Sequence, residues 1–519
     1  MLQSNLFTNQ KIIKMILNKY LMLGIVGAGV MLTSSCTTEW LDTAPNQKEN
    51  IEQYYTTDAA IQEALVAAYD PLHWYDYFGT YNAINVQSDV LTDQCYPGGA
   101  DPSDAKENKA MFNFNIMPTQ VMTGNYSTSY SGVKRCNDVI FYINNYASEA
   151  VTPANKAFYE AQARVLRDFY FKELWKWWGN IVYYTENLSG DFLGVQYSAD
   201  EVYDFIITDL EEVIATNALK WKSETSKLGQ VTTPTAYMLY AELVMYQNDK
   251  SRYPTALNYK KEIINSSEYD LHPDFAEIWD TDHEWCEESI FEINYSDTQG
   301  NRDWGWSNGP GGTVTPKILG ARSYNGQDGI HQDGWGWCTV RHSFYESYEE
   351  GDLRRDPSIW TPEPGSYTAG DQDTGHFIGK YAPLVGANAN AVADQSLNFN
   401  NNLRIYRYSE VLLNAAELVV DGAGSGDAQG WLDQVRSRAG LGSVSATKDN
   451  IIQERSWDFL GEGKRYWDLI RTGKAASVLV PDNEVENGRT GSYTDSKKYI
   501  PFPQSEIDQA SGTITQNPY

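Results

Sequence analysis

Two stretches of the sequence place tryptophans among residues that favour loops, Asp303 to Asn308 (DWGWSN) and Asp333 to Cys338 (DGWGWC). A buried tryptophan usually lies in a helical or strand pattern, where neighbours cover its large apolar area. A hexose has an apolar C–H face that packs on such a ring, and its hydroxyl groups need polar partners. In an extended backbone, Trp304 and Trp306 would point to the same side about 6.6 Å apart, from a rise of ~3.3 Å per residue. Trp304, Trp306 and Asn308 are therefore the first candidates for glycan binding.

Other aromatic and acidic residues in loop-rich sequence extend this candidate site. For each of them the alternative is local packing beneath a long loop, and together they indicate a binding face better than any one does. They are Tyr324, Tyr96, Trp74, Asp89 and Asp93.

Patterns that would indicate catalysis are missing from the sequence. Hydrolysis of a glycosidic bond needs two facing carboxylates, but among 69 acidic residues neighbouring pairs arise by chance. The six histidines show no H-E-x-x-H or similar metal spacing, and no G-x-S-x-G is present. We therefore predict no catalytic residues and no metal site. Asp280-Thr281-Asp282 could hold a structural Ca²⁺ ion, with a solvated loop as the alternative.

Composition limits the class of ligand. The chain has 519 residues, 41% of them hydrophobic and 13% aromatic, which is ample for a large core. Its 40 basic and 69 acidic residues give a net charge of −29. Such a field repels phosphate backbones, so a nucleic-acid partner is excluded. The same charge argues against polyanionic glycans unless a local basic patch or a bound cation intervenes.

The N-terminus carries a targeting signal. Lys11, Lys14 and Lys19 precede an apolar run from Leu21 to Leu32 that is too short to span a membrane. Small residues then lead to Cys36, a pattern typical of a bacterial lipoprotein signal in which that cysteine is lipidated. Leu32 lies four residues before the cysteine instead of the usual three, and the alternative is plain secretion. We predict a signal peptide over residues 1–35 and a mature domain over 36–519.

Four further cysteines are far apart, with no C-x-x-C pair among them: Cys95, Cys136, Cys286 and Cys338. A zinc site built from them is therefore not expected. Four cysteines allow three connectivities, and free buried thiols are equally compatible with the sequence.

Hydrophobic periodicity predicts a mostly α fold. Ser198 with Glu201 forms a capping box before a helical pattern, and another helix runs from Thr152-Pro153 to Gly179. Further amphipathic stretches, most of which pair across short connections as in stacked helical hairpins of the solenoid type, cover 57–70, 133–146, 234–247, 256–265, 404–420, 427–438 and 449–472. Helical periodicity largely disappears over 295–400, and a smaller loop-rich patch covers 71–115. A helical scaffold with irregular insertions that carry the binding face is the expected architecture.

The C-terminal third resembles the SusD/RagB family of outer-membrane nutrient-binding lipoproteins. The similar blocks occur in order: RIYRYSEVLLNAAELV (404–419), WLDQVRSRAGL (431–441), IIQERSWDFLGEGKRYWDLIRTGK (451–474) and YIPFPQSEI with a terminal QNPY (499–519). Earlier stretches agree, including CTTEWLDTAPNQ after the signal and the segment 334–356. The resemblance covers essentially 36–519, with a helical part over 36–250 and a second part over 251–519 that contains the insertion.

This resemblance implies a scaffold of helical pairs similar to tetratricopeptide repeats. It also implies a lipid-anchored protein at the outer face of the outer membrane. Members bind oligosaccharides or polysaccharides, or peptides in some branches, for a partner TonB-dependent transporter, and do not catalyse. Peptide capture is thus the alternative ligand class, and a glycoside hydrolase is the alternative from another class of protein. In the family, Trp335 to Trp337 would belong to the framework, whereas Trp304 to Trp306 would lie in a loop that varies with the ligand.

The resemblance assigns no role in binding to the motif residues that carry it. We interpret them as structural ion pairs on a helix and its continuation, with Trp457 and Trp467 packed inward. They are Glu454, Arg455, Glu462, Arg465 and Asp468.

Overall fold

The computed structural model describes residues 50–76, 83–188, 194–298, 300–304 and 311–519. The chain divides into two compact units between Tyr54 and Tyr55. In the first unit, a short helix covers Ile51–Tyr54. The predicted signal peptide and Cys36 lie outside the described residues, and the division of the mature chain near residue 250 stays a prediction. Within the described residues, no helix has the length and apolar character needed to cross a membrane.

The second unit is mostly α-helical, as the sequence predicts. Nine helices of eleven or more residues lie in its described part. They are α1 (Asp58–Tyr69), α2 (Thr123–Asn145), α3 (Pro153–Trp178), α4 (Ala199–Ala215), α5 (Thr233–Gln247), α6 (Tyr253–Ser266), α7 (Tyr408–Val420), α8 (Ala428–Arg438) and α9 (Lys448–Asp458). Consecutive helices pack on each other, α1 on α2, α2 on α3, α3 on α4, α5 on α6 and α7 on α8. This is the predicted scaffold of helical pairs.

Short elements fill the connections. The short α-helices are Ile84–Asp89, Lys106–Phe112, Thr315–Leu319, His342–Tyr345, Arg355–Ser358, Arg465–Arg471, Ala475–Val478 and Gln504–Gln509. The strands are β1 (Cys95–Gly98), β2 (Ser289–Ile293), β3 (Trp337–Val340), β4 (Ile359–Trp360), β5 (Phe377–Ile378) and β6 (Leu403–Arg407). They form three antiparallel pairs, β1 with β3, β2 with β6 and β4 with β5. The described part of 295–400 thus holds short elements only, as predicted.

Local sequence signals set the ends of the long helices. The Ser198 hydroxyl accepts from the Glu201 N–H and the Glu201 carboxylate accepts from the Ser198 N–H, which confirms the capping box of α4. Thr152 caps α3 and Gly179 ends it with a positive φ of 67°. From Val165 onward every residue of α3 is buried, so this helix lies at the centre of the core.

The predicted helix 133–146 is only the second half of α2, which begins at Thr123. Two further predicted helices differ from the structure. The stretch 404–420 begins as β6, because Leu403–Arg407 pairs with β2 before α7 starts at Tyr408. The stretch 449–472 is two helices, α9 and Arg465–Arg471. Gly461 and Gly463 separate them with φ of 84° and 71°, conformations that favour glycine and end a helix.

The family-motif residues form buried ion pairs, which confirms their structural interpretation. Arg407 contacts Glu288, Asp458 and Glu462, and all of these side chains are at most 2% exposed. The other buried pairs are Glu454 with Arg354 and Arg436, and Arg455 with Asp468. Arg465 pairs with Asp93, whose side chain is 29% exposed. Trp457 and Trp467 are buried, also as predicted.

Candidate functional site

Three tryptophans from the two loop stretches lie side by side and form what we call the tryptophan row, Trp304, Trp335 and Trp337. The Trp304 and Trp335 rings are stacked, with centroids 6.1 Å apart and planes 30° apart. The Trp335 and Trp337 centroids are 6.2 Å apart, with planes inclined by 53°. Trp304 is 47% exposed and Trp337 is buried, with the half-buried Trp335 between them. The row therefore runs from an exposed ring into the framework.

The segment that carries Trp335 is held along its backbone. The Gly334, Trp335 and Gly336 N–H groups donate to the carbonyls of Ala321, Lys317 and Gly320, each at 2.8 Å. On its other side the Gly336 carbonyl accepts from the Gly99 N–H, also at 2.8 Å. At Trp337 the chain continues as β3, which pairs with β1. Trp335 and Trp337 thus project from a rigid backbone and not from an independent loop.

Glycine is required where these segments meet. A Cβ atom built on Gly334 would lie 2.3 Å from the Gly320 carbonyl oxygen, and one on Gly98 would lie 2.3 Å from the Gly336 oxygen. Both neighbours are backbone atoms, which cannot move away as a flexible side chain can. Gly334 and Gly98 therefore allow the close backbone approach that holds the segment carrying the two rings.

A buried arginine fixes the start of the first stretch. Arg302 donates to both carboxylate oxygens of Asp76 at 2.8 and 2.7 Å, and to the carbonyls of His73 and Gly312 at 3.0 and 2.6 Å. The side chains of Arg302 and Asp76 are 2% and 1% exposed. Such a bidentate pair has a defined geometry. It places Trp304, two residues further on, at a set position.

Asn398 connects the two sides of the same loop. Its amide nitrogen donates to the Arg302 carbonyl at 2.9 Å, and its oxygen accepts from the N–H groups of Arg302 and Gly312 at 3.3 Å each. A Cβ atom on Gly312 would lie 2.2 Å from the Asn398 backbone carbon. The residues that flank 305–310 are therefore joined by one buried amide.

Polar groups lie beside the rings, as a sugar requires. The Trp304 Nε1–H donates to Asp394 Oδ2 at 2.6 Å, and the Trp337 Nε1–H donates to Asp104 Oδ2 at 3.2 Å. The Lys317 ammonium contacts Asp333 Oδ1 at 2.9 Å. Partial burial acts to raise the pKa of Asp394, but hydrogen bonds from Trp304 and Ser396 hold that pKa below its ordinary value. Asp394 is therefore ionised at neutral pH and accepts hydrogen bonds only.

This arrangement fits a neutral sugar chain. Exposed indole faces can cover the apolar C–H faces of hexose rings, while carboxylate oxygens beside them accept from hydroxyl groups. Exposed carboxylates such as Asp303 and Asp333 disfavour an anionic ligand at the same place.

The structure also contains a cavity of about 1020 Å³ between α1, the start of α3 and the segment 218–230. Its walls include Tyr69 and Tyr159, whose hydroxyls already bond to protein groups at 2.8 to 3.2 Å. Volume alone would favour this cavity as a ligand site. We favour the tryptophan row because an exposed, stacked pair of rings offers the surface that a sugar face covers.

Of the predicted site residues, Trp304 lies at the exposed end of the row, whereas Trp306 and Asn308 lie outside the described residues. Tyr324 is buried, with its ring edge-on to Trp360 at 5.0 Å. Trp74 is buried beneath Arg135, whose guanidinium lies 4.8 Å from the ring centroid. Tyr324 and Trp74 therefore serve local packing, which is the alternative to glycan binding that the sequence left open for each of them.

The other three predicted residues are held by protein groups. Asp89 is 1% exposed and accepts from the Gly463 N–H at 3.2 Å, and burial raises its pKa well above the ordinary value. The Tyr96 ring is fully buried, and its hydroxyl donates to Asp482 at 2.5 Å. Asp93 accepts two bonds from Arg465 at 3.0 and 2.7 Å. Since their polar groups serve the fold, we leave all three out of the proposed surface.

Reasoning from the sequence separated two tryptophan stretches that the structure brings together. Trp337 does belong to the framework, as expected, but Trp335 stacks on Trp304. Asp394 and Lys317 were not singled out at all. The repeated Trp-Gly-Trp pattern was the one signal that could have joined the stretches, whereas no local pattern marks Asp394, 90 residues from its partner Trp304.

Stacked helical pairs that present an exposed aromatic row on an irregular face are features of a binding protein. The model of the SusD family matches residues 355–519. The structure of surface glycan-binding protein A from Bacteroides thetaiotaomicron in complex with laminarihexaose is 50% identical, with a TM-score of 0.86, and the match covers 89% of this chain and 100% of that one.

Two further solved structures are similar. Surface glycan-binding protein A from Bacteroides uniformis is 43% identical with a TM-score of 0.82, over 89% of this chain and 100% of that one. A laminarin binding SusD-like protein is 27% identical with a TM-score of 0.80, over the same shares. The chain belongs to the SusD family, and thus to a family of binding proteins and not of enzymes.

Proposed function

We propose that this protein binds a neutral glycan on the tryptophan row. The observation that carries the proposal is the stacked pair of Trp304 and Trp335, one exposed and one half-buried, with Asp394 and Asp333 at its edge. The row uses rings for the apolar sugar faces and carboxylates for the hydroxyl groups.

The comparisons support a laminarin-type oligosaccharide as the ligand. One relative at 50% identity is described in complex with laminarihexaose, and another is described as laminarin binding. A neutral glucan also suits a chain with a net charge of −29, because such a chain repels anionic polymers.

Isothermal titration with laminarihexaose tests the proposal, with a panel of other neutral oligosaccharides and peptides beside it. We expect Trp304→Ala and Trp335→Ala each to weaken binding of laminarihexaose at least tenfold, which corresponds to about 1.4 kcal/mol. Trp221→Ala is the matched control, since this half-buried tryptophan packs on Tyr237 and contributes nothing to the row.

Two results would contradict the proposal. One is the absence of binding to every glycan in the panel. If the protein then binds peptides, that result favours the alternative ligand class. The other is an unchanged affinity in both row variants while each keeps the melting temperature of the wild type. Release of reducing sugars by the purified protein would favour a hydrolase.

We further propose that the protein is anchored at the cell surface through Cys36 and passes its glycan to a TonB-dependent outer-membrane transporter. The signal-like sequence before Cys36 and the family membership support this proposal. Protease accessibility on intact cells, compared between wild type and Cys36→Ala, tests the anchor, and co-purification from solubilised membranes tests the partner. An unaltered surface fraction in Cys36→Ala cells, or purification without any transporter, would overturn the corresponding part.

A further inference from the structure

We propose that His272, Glu277 and His283 form a binding site for one divalent transition-metal ion, with Zn²⁺ as the best match. The three residues lie on the segment 272–283 and take no part in the tryptophan row. One ligand atom from each lies within 4.8 Å of those from the other two. The H-x₄-E-x₅-H spacing is not a metal signature by itself, so the sequence did not predict this site.

The distances approach those of a coordinated ion. The His272 Nε2 atom lies 3.0 Å from Glu277 Oε2, and the His283 Nε2 atom lies 3.8 Å from the same oxygen. Tetrahedral Zn²⁺ with bonds of ~2.0–2.1 Å separates its ligand atoms by roughly 3.3 Å. The Glu277 and His283 side chains are 47% and 37% exposed, so they have room for the small shift that binding requires.

Carboxylates face the second nitrogen of each imidazole. The His272 Nδ1 atom lies 3.1 Å from Glu287 Oε1, and the His283 Nδ1 atom lies 3.9 Å from Asp280 Oδ2. Metal-binding histidines almost always direct the ring nitrogen that does not bind the metal to such a group, which orients the ring and raises its basicity. Glu287 thus orients His272 with its Nε2 atom towards Glu277, whereas Asp280, at 3.9 Å, is too far away to hydrogen-bond to His283.

The surrounding charge favours a cation. The sequence from His272 to Glu288 contains seven acidic residues and neither lysine nor arginine. Arg438, which approaches the segment from α8, already contacts Glu288 and Asp458 at 2.8 and 3.1 Å. A divalent cation would be attracted to these carboxylates.

The backbone around the cluster is anchored to the core. The His272 N–H donates to Glu288 Oε2 at 3.0 Å, and Arg404 donates to the Ile278 carbonyl at 2.8 Å. Trp279, between the two halves of the cluster, is buried. The histidines are therefore presented by a fixed segment, which lowers the cost of ordering the ligands.

The donor set identifies the class of ion. Two imidazole nitrogens and one carboxylate oxygen suit Zn²⁺ and related transition metals, whereas Ca²⁺ prefers six to eight oxygens. The Ca²⁺ site considered at Asp280-Thr281-Asp282 is less well matched, because Asp280 faces His283. Cys286 and Glu287 form a second group of possible ligands with His272, but that group contains only one histidine.

The test is titration of the metal-free full chain with Zn²⁺ in competition with a chromogenic chelator. We expect one Zn²⁺ per protein, with affinity at least tenfold weaker in Glu277→Gln and in His283→Ala. Glu287→Gln should weaken binding by roughly 10–100-fold through the orientation of His272. His331→Ala is the matched control, because His331 also pairs with a carboxylate, Asp328 at 2.7 Å, but lies outside the cluster.

A second measurement tests the coordination geometry of the bound ion. Co²⁺ substituted for Zn²⁺ should give the visible absorption of a four-coordinate ion in the wild type and lose it in His283→Ala. Circular dichroism confirms that each variant folds. The proposal is overturned if the wild type binds no stoichiometric Zn²⁺, if His283→Ala binds as tightly as the wild type, or if His331→Ala loses as much affinity as the cluster variants.

Discussion

Trp304 shows how neighbours position a single exposed residue. Its ring stacks on Trp335, and its Nε1–H donates to the Asp394 carboxylate at 2.6 Å. The same carboxylate also accepts from the Ser396 N–H at 2.8 Å. An exposed tryptophan without such partners would sample several rotamers and lose that freedom when a ligand binds. The contacts with Trp335 and Asp394 orient the indole before the glycan arrives.

At the residue scale, we therefore predict that Asp394→Ala weakens binding of laminarihexaose about fivefold. A typical hydrogen bond contributes roughly 1 kcal/mol, which corresponds to about fivefold in affinity. Isothermal titration of Asp394→Ala, Trp304→Ala and the double variant forms a double-mutant cycle. If Asp394 acts through Trp304, its replacement has no further effect in the Trp304→Ala background. An equal loss in both backgrounds would show that Asp394 does not act through the ring.

At the scale of elements, the segment from Asp333 to Val340 joins the tryptophan row to the β1–β3 pair. Its position depends on Gly334, which passes against Gly320 with no space for a side chain. The segment begins at the exposed Asp333 and ends in the fully buried Val340. Displacement of this one segment would therefore move Trp335 away from Trp304.

We predict that Gly334→Ala destabilises the protein by roughly 1–3 kcal/mol, because the new Cβ would meet three Gly320 backbone atoms between 2.3 and 2.4 Å away. It should also weaken laminarihexaose binding at least tenfold by moving Trp335. Denaturant unfolding and titration measure the two effects. Gly442→Ala is the matched control, since nothing lies within 4 Å of its Cβ position, and it should be neutral or slightly stabilising. Equal behaviour of both variants would contradict the role of Gly334.

At the scale of the whole molecule, buried ion pairs connect segments that are far apart in the sequence. Asp458 at the end of α9 accepts from Arg407 at 2.7 Å and contacts Arg438 and Arg354 at 3.1 and 3.4 Å. Burial acts to raise the pKa of Asp458, but these arginines hold it far below its ordinary value. One carboxylate thus joins α9 to β6, α8 and the segment before Arg355.

We predict that Asp458→Asn destabilises the protein by about 3–5 kcal/mol, because it leaves buried arginines without their counter-charge. Guanidinium-induced unfolding followed by circular dichroism measures the change. Asp449→Asn is the matched control on the same helix, since Asp449 pairs with Lys474 on the surface, and it should cause no measurable change. Comparable losses in the two variants would contradict the prediction.

The ion pairs of Asp458 also predict how the destabilisation caused by Asp458→Asn depends on pH. Since the folded pKa of Asp458 lies below its unfolded value of 3.8, its contribution to stability is fully present above pH 3.8. It is lost as the pH falls through the folded value. The difference in unfolding free energy between wild type and Asp458→Asn should therefore be constant from pH 5 to 8 and shrink below pH 3.8. A difference that instead disappears near pH 7 would contradict the assignment.

Much of the scaffold was predictable because its signals are local. The capping box at Ser198, the proline and glycine at the ends of α3 and the 3.6-residue periodicity act within a few residues. The helix predictions for 404–420 and 449–472 were wrong for different reasons, one tertiary and one local. At 404–420 the partner strand β2 decided between strand and helix, whereas at 449–472 the two glycines were visible but outweighed by the periodicity.

The sequence by itself determined the helical scaffold, the negative net charge and the stretch that carries the exposed Trp304. Only the tertiary structure decided which distant residues meet, as Trp304 does with Trp335 and Asp394. It also placed Asp89 and Tyr96 in the interior, although their types suited a ligand surface. The physical reason is the separation along the sequence of the residues that interact. Helix caps and hydrophobic periodicity depend on close neighbours in the chain. The tryptophan row depends on contacts that close long loops between distant segments.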